Sequence, residues 1–341
     1  MMKYTRIYLF FLITLVLVSC HNHPDVDVSK VQFNLKIERF DQEMASLSPA
    51  NVATKAPALQ KKYGRFYNDY MERMLEVGST SDTAYYKLLR VILQNKDYLE
   101  LKLSVASTYP NLDQTETELN DAFKHILYYY PKQKLPRLIT FLSGFAVQTP
   151  IGNDYIGIGL DMFLGADSKF YPALRQNLPQ YITRRFTPQN ITPRVVEVFI
   201  RENMFPEEDK DRSLLSKAVY NGKILYCMGA MMPNVADTLK IGYKTKQLEW
   251  CKNNEVSIWA YFLDNDLLYE TDYLKIQKYL SEAPFTPGLG DQSESAPKLG
   301  VWIGWQIVKR YMDKNPKMTL QQLMAEKDAQ RILRLSNYKP K

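Results

Sequence analysis

A single uninterrupted apolar run, Ile7 to Val18, sets the terms on which the rest of this chain has to fold. Lys3 and Arg6 precede it as a short basic start. A run of about a dozen residues is too short for a helix that crosses a bilayer, which needs about 20, and matches the core of a signal peptide. No second stretch of the 341 residues approaches membrane-spanning length. Everything downstream is therefore expected to bury its apolar groups against itself, as a water-soluble body.

The run ends in Leu17-Val18-Ser19-Cys20. A small residue followed by cysteine at this place resembles the bacterial lipobox. There the thiol takes a diacylglycerol, the signal is cut just before the cysteine, and the new N-terminus is acylated, with palmitate as the expected acid. Serine forms no thioether, so the chemistry needs Cys20. Each buried methylene is worth about 0.8 kcal/mol, and two or more chains anchor stably where one does not. The expected organisation is a signal peptide over residues 1–19, a lipidated tether over 20–30, and a folded domain over 31–341. His21 rather than aspartate follows the cysteine, which under the sorting rule of some Gram-negative bacteria favours the outer membrane over the inner. His21 and His23 lack further ligands on the tether, so no metal is expected there.

Composition narrows the partners. Removing Lys3 and Arg6 lowers the formal charge from +7 to +5, with basic residues scattered rather than clustered. Neither an arginine-rich run nor an aromatic RNA-binding motif occurs, which argues against nucleic acid. A mildly basic body suits the anionic surface of the membrane to which it is tethered.

Periodicity then gives the elements. Val31, Phe33, Leu35 and Ile37 alternate with polar residues, as in a half-buried strand. Helical spacing follows over Ala56–Val77, Ser81–Gln94 and Glu116–Tyr130, the last ending at Pro131. Pro136–Leu142 and Tyr155–Leu160 read as short strands around a turn containing Thr149, Pro150, Gly152 and Asn153. Gly157 and Gly159 lack the further glycine and lysine of a phosphate loop, and mark a strand with close backbone approach instead. Helices resume at Pro193 and continue over Ser213–Met231, Thr245–Leu263 and Leu274–Leu280. A Pro/Gly/Ser-rich loop, Ala283–Pro297, precedes a last long helix, Leu299–Met312. The fold class is α+β: a mostly helical single domain around a small β-sheet, with a candidate helical subdomain ending near Tyr130.

The order strand, strand, helix, helix resembles a zincin-like metallopeptidase core, in which His-Glu-x-x-His on a helix binds zinc and its glutamate activates water. The matching segment here is Val196-Glu197-Val198-Phe199-Ile200. Valine and isoleucine cannot coordinate a metal, so the core reads as degenerate, a pseudoenzyme with no metal, no cofactor and no catalytic residue. A serine triad would have to use His125, the single histidine of the body, and no Gly-x-Ser-x-Gly elbow is present. The polar residues that remain suggest a groove built from Glu197, Arg201, Glu255, Trp259 and Trp302. Glu197 and Arg201 sit four apart and can pair on one helix face. Asp161 is a further carboxylate that would join Glu197 and Glu255 if they converge. Cys227 and Cys251 lie on two successive helices, and in an oxidising envelope they are candidates for a disulfide.

Several long segments of unusual composition resemble the GldB family of gliding-motility lipoproteins. They are Tyr155–Gly165, Arg201–Pro206, Gly222–Tyr226, Asn254–Phe262, Ala283–Gly288 and Gly300–Gln306, in the family's order over most of the chain. The resemblance implies a non-catalytic component of the cell envelope, held by its lipid anchor and facing the periplasm. Its partners would be the proteins of gliding motility and of the secretion machinery associated with it. The alternative is a membrane-anchored, peptidase-like hydrolase that uses the residual carboxylates.

Overall fold

Three short strands form a parallel sheet in the order β1-β2-β3: β1 (Ile37–Glu38), β2 (Arg137–Phe141) and β3 (Tyr155–Gly159). Ile37 stands opposite Leu138, and β2 pairs with β3 from Arg137–Tyr155 to Phe141–Gly159. The computed structural model describes residues 26–208, 210–290 and 294–341, so the signal-peptide segment, Cys20, His21 and His23 lie outside the described residues.

The alternation over 31–37 is present as burial, with Leu35 and Ile37 inside and Gln32, Asn34 and Lys36 outside. Strand pairing begins only at Ile37, because the preceding backbone bonds elsewhere. The Leu35 N–H donates to Asn120 Oδ1 at 2.6 Å and the Ile37 N–H to Glu116 Oε1 at 2.9 Å. Side chains of a helix thus take the place of a neighbouring strand. The β2–β3 pair is parallel, so the turn residues 149–153 lie inside a crossover rather than a hairpin.

The helices, in order, are α1 (Phe40–Ala45), α2 (Val52–Tyr63), α3 (Arg65–Asp69), α4 (Tyr85–Gln94), α5 (Lys96–Thr108), α6 (Asp113–Tyr129), α7 (Gln180–Thr183) and α8 (Ile191–Phe199). After them come α9 (Leu214–Met231), α10 (Asp237–Ile241), α11 (Thr245–Asn253), α12 (Glu255–Asp264), α13 (Tyr273–Ile276), α14 (Leu299–Lys314), α15 (Leu320–Ala325) and α16 (Ala329–Ser336). Two expected helices are each broken. Gly64, at φ +55°, separates α2 from α3, and Asn254 separates α11 from α12.

The sheet separates two cores. Ile139, Phe141 and Tyr155 face a cluster built by α1 to α4, where Phe40 meets Tyr63, Phe66 and Tyr70 edge-on at 4.8 to 5.1 Å between ring centres. Such edge-to-face pairs add to their burial. Leu138, Ile156 and Ile158 face the larger core of α5, α6, α8, α9 and α14. The N-terminal cluster therefore ends at Leu93, not near Tyr130, because α5 and α6 turn their apolar faces to the larger core. Strand β3 lies tight against its surroundings. A Cβ at Gly157 would come within 2.8 Å of both the Phe141 ring and Pro150 Cγ, which is the close backbone approach its glycines announce.

At the centre, α9 lies along α14 with backbone nearly touching backbone. A Cβ at Gly304 would fall 1.8 Å from the Ala218 carbonyl oxygen, and one at Gly222 would fall 2.3 Å from the Gly304 carbonyl carbon. This crossing holds the start of α14 beside α8, and so fixes the site below.

Candidate functional site

Helix α8 turns Val195, Val196 and Phe199 into the larger core, as Ile200 does just after it, and leaves Glu197 on the opposite flank. The helix then widens into a π-turn, Ile200–Met204, which carries Arg201. Glu197 Oε1 accepts from Arg201 Nε at 2.9 Å, and Oε2 from Arg194 Nη1 at 3.3 Å. Arg201 also donates from Nη2 to Asn221 Oδ1 on α9 at 2.9 Å. Facing them is Glu282, whose Oε1 accepts from Arg185 Nη1 and from Lys298 Nζ, each at 2.6 Å. Lys298 sits just before α14 with a left-handed backbone, φ 53°, and donates to the Ile241 carbonyl at the end of α10 at 2.7 Å. The next residue, Gly242, has φ +77°, and a Cβ there would lie 2.3 Å from Arg185 Cζ, so glycine lets the guanidinium close on the backbone. The loop that follows Glu282 is pinned at its neck, where Thr286 and Ser295 exchange hydrogen bonds and the Thr286 hydroxyl donates to the Ala296 carbonyl at 2.8 Å.

Two adjoining clefts of about 160 Å³ each share Arg185, Arg194, Glu197 and Glu282. Burial alone would raise the Glu197 pKa, but Arg201, Arg194, Arg185 and Lys298 outweigh it and hold the carboxyl at about 2. Burial lowers the Lys298 pKa, opposed by Glu282. A carboxylate with a pKa near 2 is a poor proton acceptor at neutral pH. One consequence is measurable. The folded pKa lies below the ordinary 4.5, so between these values the unfolded chain binds the extra proton. The stabilisation is present above about pH 4.5 and lost as pH falls towards 2. Its size is about 3 kcal/mol. Denaturant titrations over this range are expected to show that loss in the native chain and its absence in Glu197→Gln. Parallel acid profiles for the two would refute the ion-pair account.

A family model described as "Gliding motility protein GldB" matches residues 21–340. The chain belongs to the GldB family. No curated protein and no solved structure matches it. Among the described residues no helix is long and apolar enough to cross a membrane, and no group of three or more His, Cys, Asp or Glu side chains is placed to hold a metal ion. The segments that carry the GldB resemblance map onto architecture and site together. Tyr155–Gly165 contains β3 and Asp161; Arg201–Pro206 contributes Arg201; Gly222 and Gly304 are the α9–α14 contact.

Of the five residues expected to share a groove, Glu197 and Arg201 meet and the other three lie elsewhere. Glu255 accepts from Tyr338 Oη at 2.7 Å and Trp259 packs edge-on against the Tyr338 ring at 5.0 Å, so both fasten the C-terminal segment. Trp302 is core, 1% exposed. Asp161 is wholly buried and is engaged by the backbone of Ser143 and Phe145. Cys227 and Cys251 are free thiols, both buried. An α9–α11 pair would have levelled them, but α9 packs along α14. Burial pushes the Cys227 thiol up to about 12 and raises that of Cys251 as well. His125 is a buried helix residue with Nδ1 2.9 Å from the Asp121 carbonyl oxygen. Sequence reasoning missed Arg185, Lys240, Glu282 and Lys298 as site residues. Only two of them carried a faint signal: Lys298 lies directly before a helix and Glu282 directly before a Pro/Gly loop.

Proposed function

We propose that this GldB-family chain is a lipid-anchored holding component of the gliding-motility apparatus and the secretion machinery associated with it. In this reading it faces the periplasm, from the outer membrane, and does not hydrolyse peptides. The observation that carries the non-catalytic part is the state of Glu197. The residue that would activate water in a peptidase is locked between Arg194 and Arg201 with its pKa held near 2. The flanking positions that would supply zinc ligands, Val196 and Ile200, are apolar and 0% exposed, facing the core. They do not fit a metal in identity or direction. The anchor is supported by membership of the GldB family and by the lipobox-like Leu17-Val18-Ser19-Cys20.

The test is complementation of a gliding strain that lacks its own family member. Cys20→Ser is expected to yield folded protein without motility. Glu197→Gln is expected to keep motility wherever melting of the purified protein shows it folded. Full motility from unlipidated protein would remove the anchor from the function. Loss of motility in folded Glu197→Gln would favour carboxylate chemistry instead.

A further inference from the structure

The paired clefts carry more positive charge than their carboxylates neutralise. Arg185, Arg194, Arg201, Lys240 and Lys298 line them, against Glu197 and Glu282. That is five cations against two anions, an excess of three. Lys240 is also bound to Asp237, at 3.4 Å, a carboxylate it shares with Lys309 at 3.8 Å, so an excess of at least two remains. Both lining carboxylates are already engaged, Glu197 by Arg201 and Arg194, Glu282 by Arg185 and Lys298. The donors are not used up. Arg185 and Arg194 each meet their carboxylate through Nη1.

We propose that this cleft binds a doubly charged tetrahedral oxyanion, a phosphate or phosphate monoester, between Arg185 and Arg194. A guanidinium offers two parallel N–H groups, and phosphate is an acceptor that can meet two such forks at once. A dianion offsets two of the excess charges where a single carboxylate offsets one, in a partly buried place where uncompensated charge is costly. A cleft of about 160 Å³ has room for the phosphate group. The proposal is independent of the holding role, since a motility component need not bind phosphate and a phosphate-binding body need not serve motility.

Calorimetric titration of the full-length lipoprotein in neutral detergent tests it, with inorganic phosphate, glycerol phosphate and acetate as probes, at low salt and about pH 8. One phosphate is expected per chain. Arg194→Gln is expected to weaken it by about tenfold or more. Arg194 is 39% exposed with a single 3.3 Å ion pair, so this variant is expected to melt close to the native chain. Acetate is expected to bind at least about tenfold more weakly than phosphate. Tighter binding of glycerol phosphate assigns the site to a phosphate monoester, and tighter binding of inorganic phosphate to the free ion. Absence of phosphate binding, equal binding by Arg194→Gln, or acetate binding as tight as phosphate would each overturn the proposal.

Discussion

Gly304→Ala is expected to cost about 3 kcal/mol of stability, and Gly304→Leu to leave no folded protein to purify. The reason is the nature of the atoms in the way. A Cβ at 304 would stand 1.8 Å from the Ala218 carbonyl oxygen and 2.3 Å from its carbonyl carbon. These belong to the backbone of α9, so no rotamer change makes room, and α9 and α14 must move apart. Both helices are buried along most of their length, with Leu225, Met228, Trp302, Ile303 and Ile307 among the residues whose packing would loosen. Gly222→Ala probes the same crossing from the other side, where its Cβ would meet the Gly304 carbonyl at 2.3 Å. A loss near 3 kcal/mol corresponds to a melting-temperature drop of about 4 to 5 °C in a chain of this size. Thermal melts of both alanine variants check it. If Gly304→Ala melts within about 2 °C of the native chain, the helices are not in backbone contact.

What was legible in the sequence, and what was not, follows from the range of the forces involved. The alternation over 31–37 and the buried face of α8 report local periodicity, and both appear as burial in the structure. Gly157 was legible as a close approach because only another backbone or a ring excludes a Cβ in a strand. Helix α5 was missed because its face is mixed, with Leu101 and Val105 buried while Leu99 and Leu103 are exposed. Strand β1 was read too long because Asn120 and Glu116, some 80 residues away, supply its hydrogen bonds. The site divides in the same way. Glu197 and Arg201 are one helical turn apart, so spacing found them. Arg185, Glu282 and Lys298 join them through tertiary packing and, for Lys298, through a left-handed backbone that no lysine announces. The expected groove failed because Trp302, Trp259 and Glu255 had packing and latch roles to fill first.

Asp161→Ala is expected to be as damaging as the helix-crossing variants, at about 4 kcal/mol, although Asp161 lines none of the clefts around Glu197. Its Oδ1 accepts from the Ser143 N–H at 2.8 Å, and its Oδ2 from the Ser143 hydroxyl at 2.8 Å and the Phe145 N–H at 2.7 Å. These donors frame the turn after β2, where Gly144 and Phe145 both have φ +64°. A left-handed phenylalanine is costly, and the carboxylate holds it there by satisfying the N–H groups that the turn points inward. Burial raises the Asp161 pKa against the bonds from Ser143 and Phe145, so the charge is itself kept at a cost. Removing the side chain leaves three donors facing an apolar space, which is the expensive way to break a buried hydrogen-bond set. Asp161→Asn keeps the shape but turns one acceptor into a donor against the Ser143 N–H, and is expected to lose about 2 kcal/mol. Ser143→Ala removes one hydroxyl and is expected to lose about 1 kcal/mol. Denaturant unfolding of the three variants reads the order directly, with alanine at 161 worst and alanine at 143 mildest. An Asp161→Asn protein as stable as the native chain would mean that the turn does not depend on an acceptor at both oxygens.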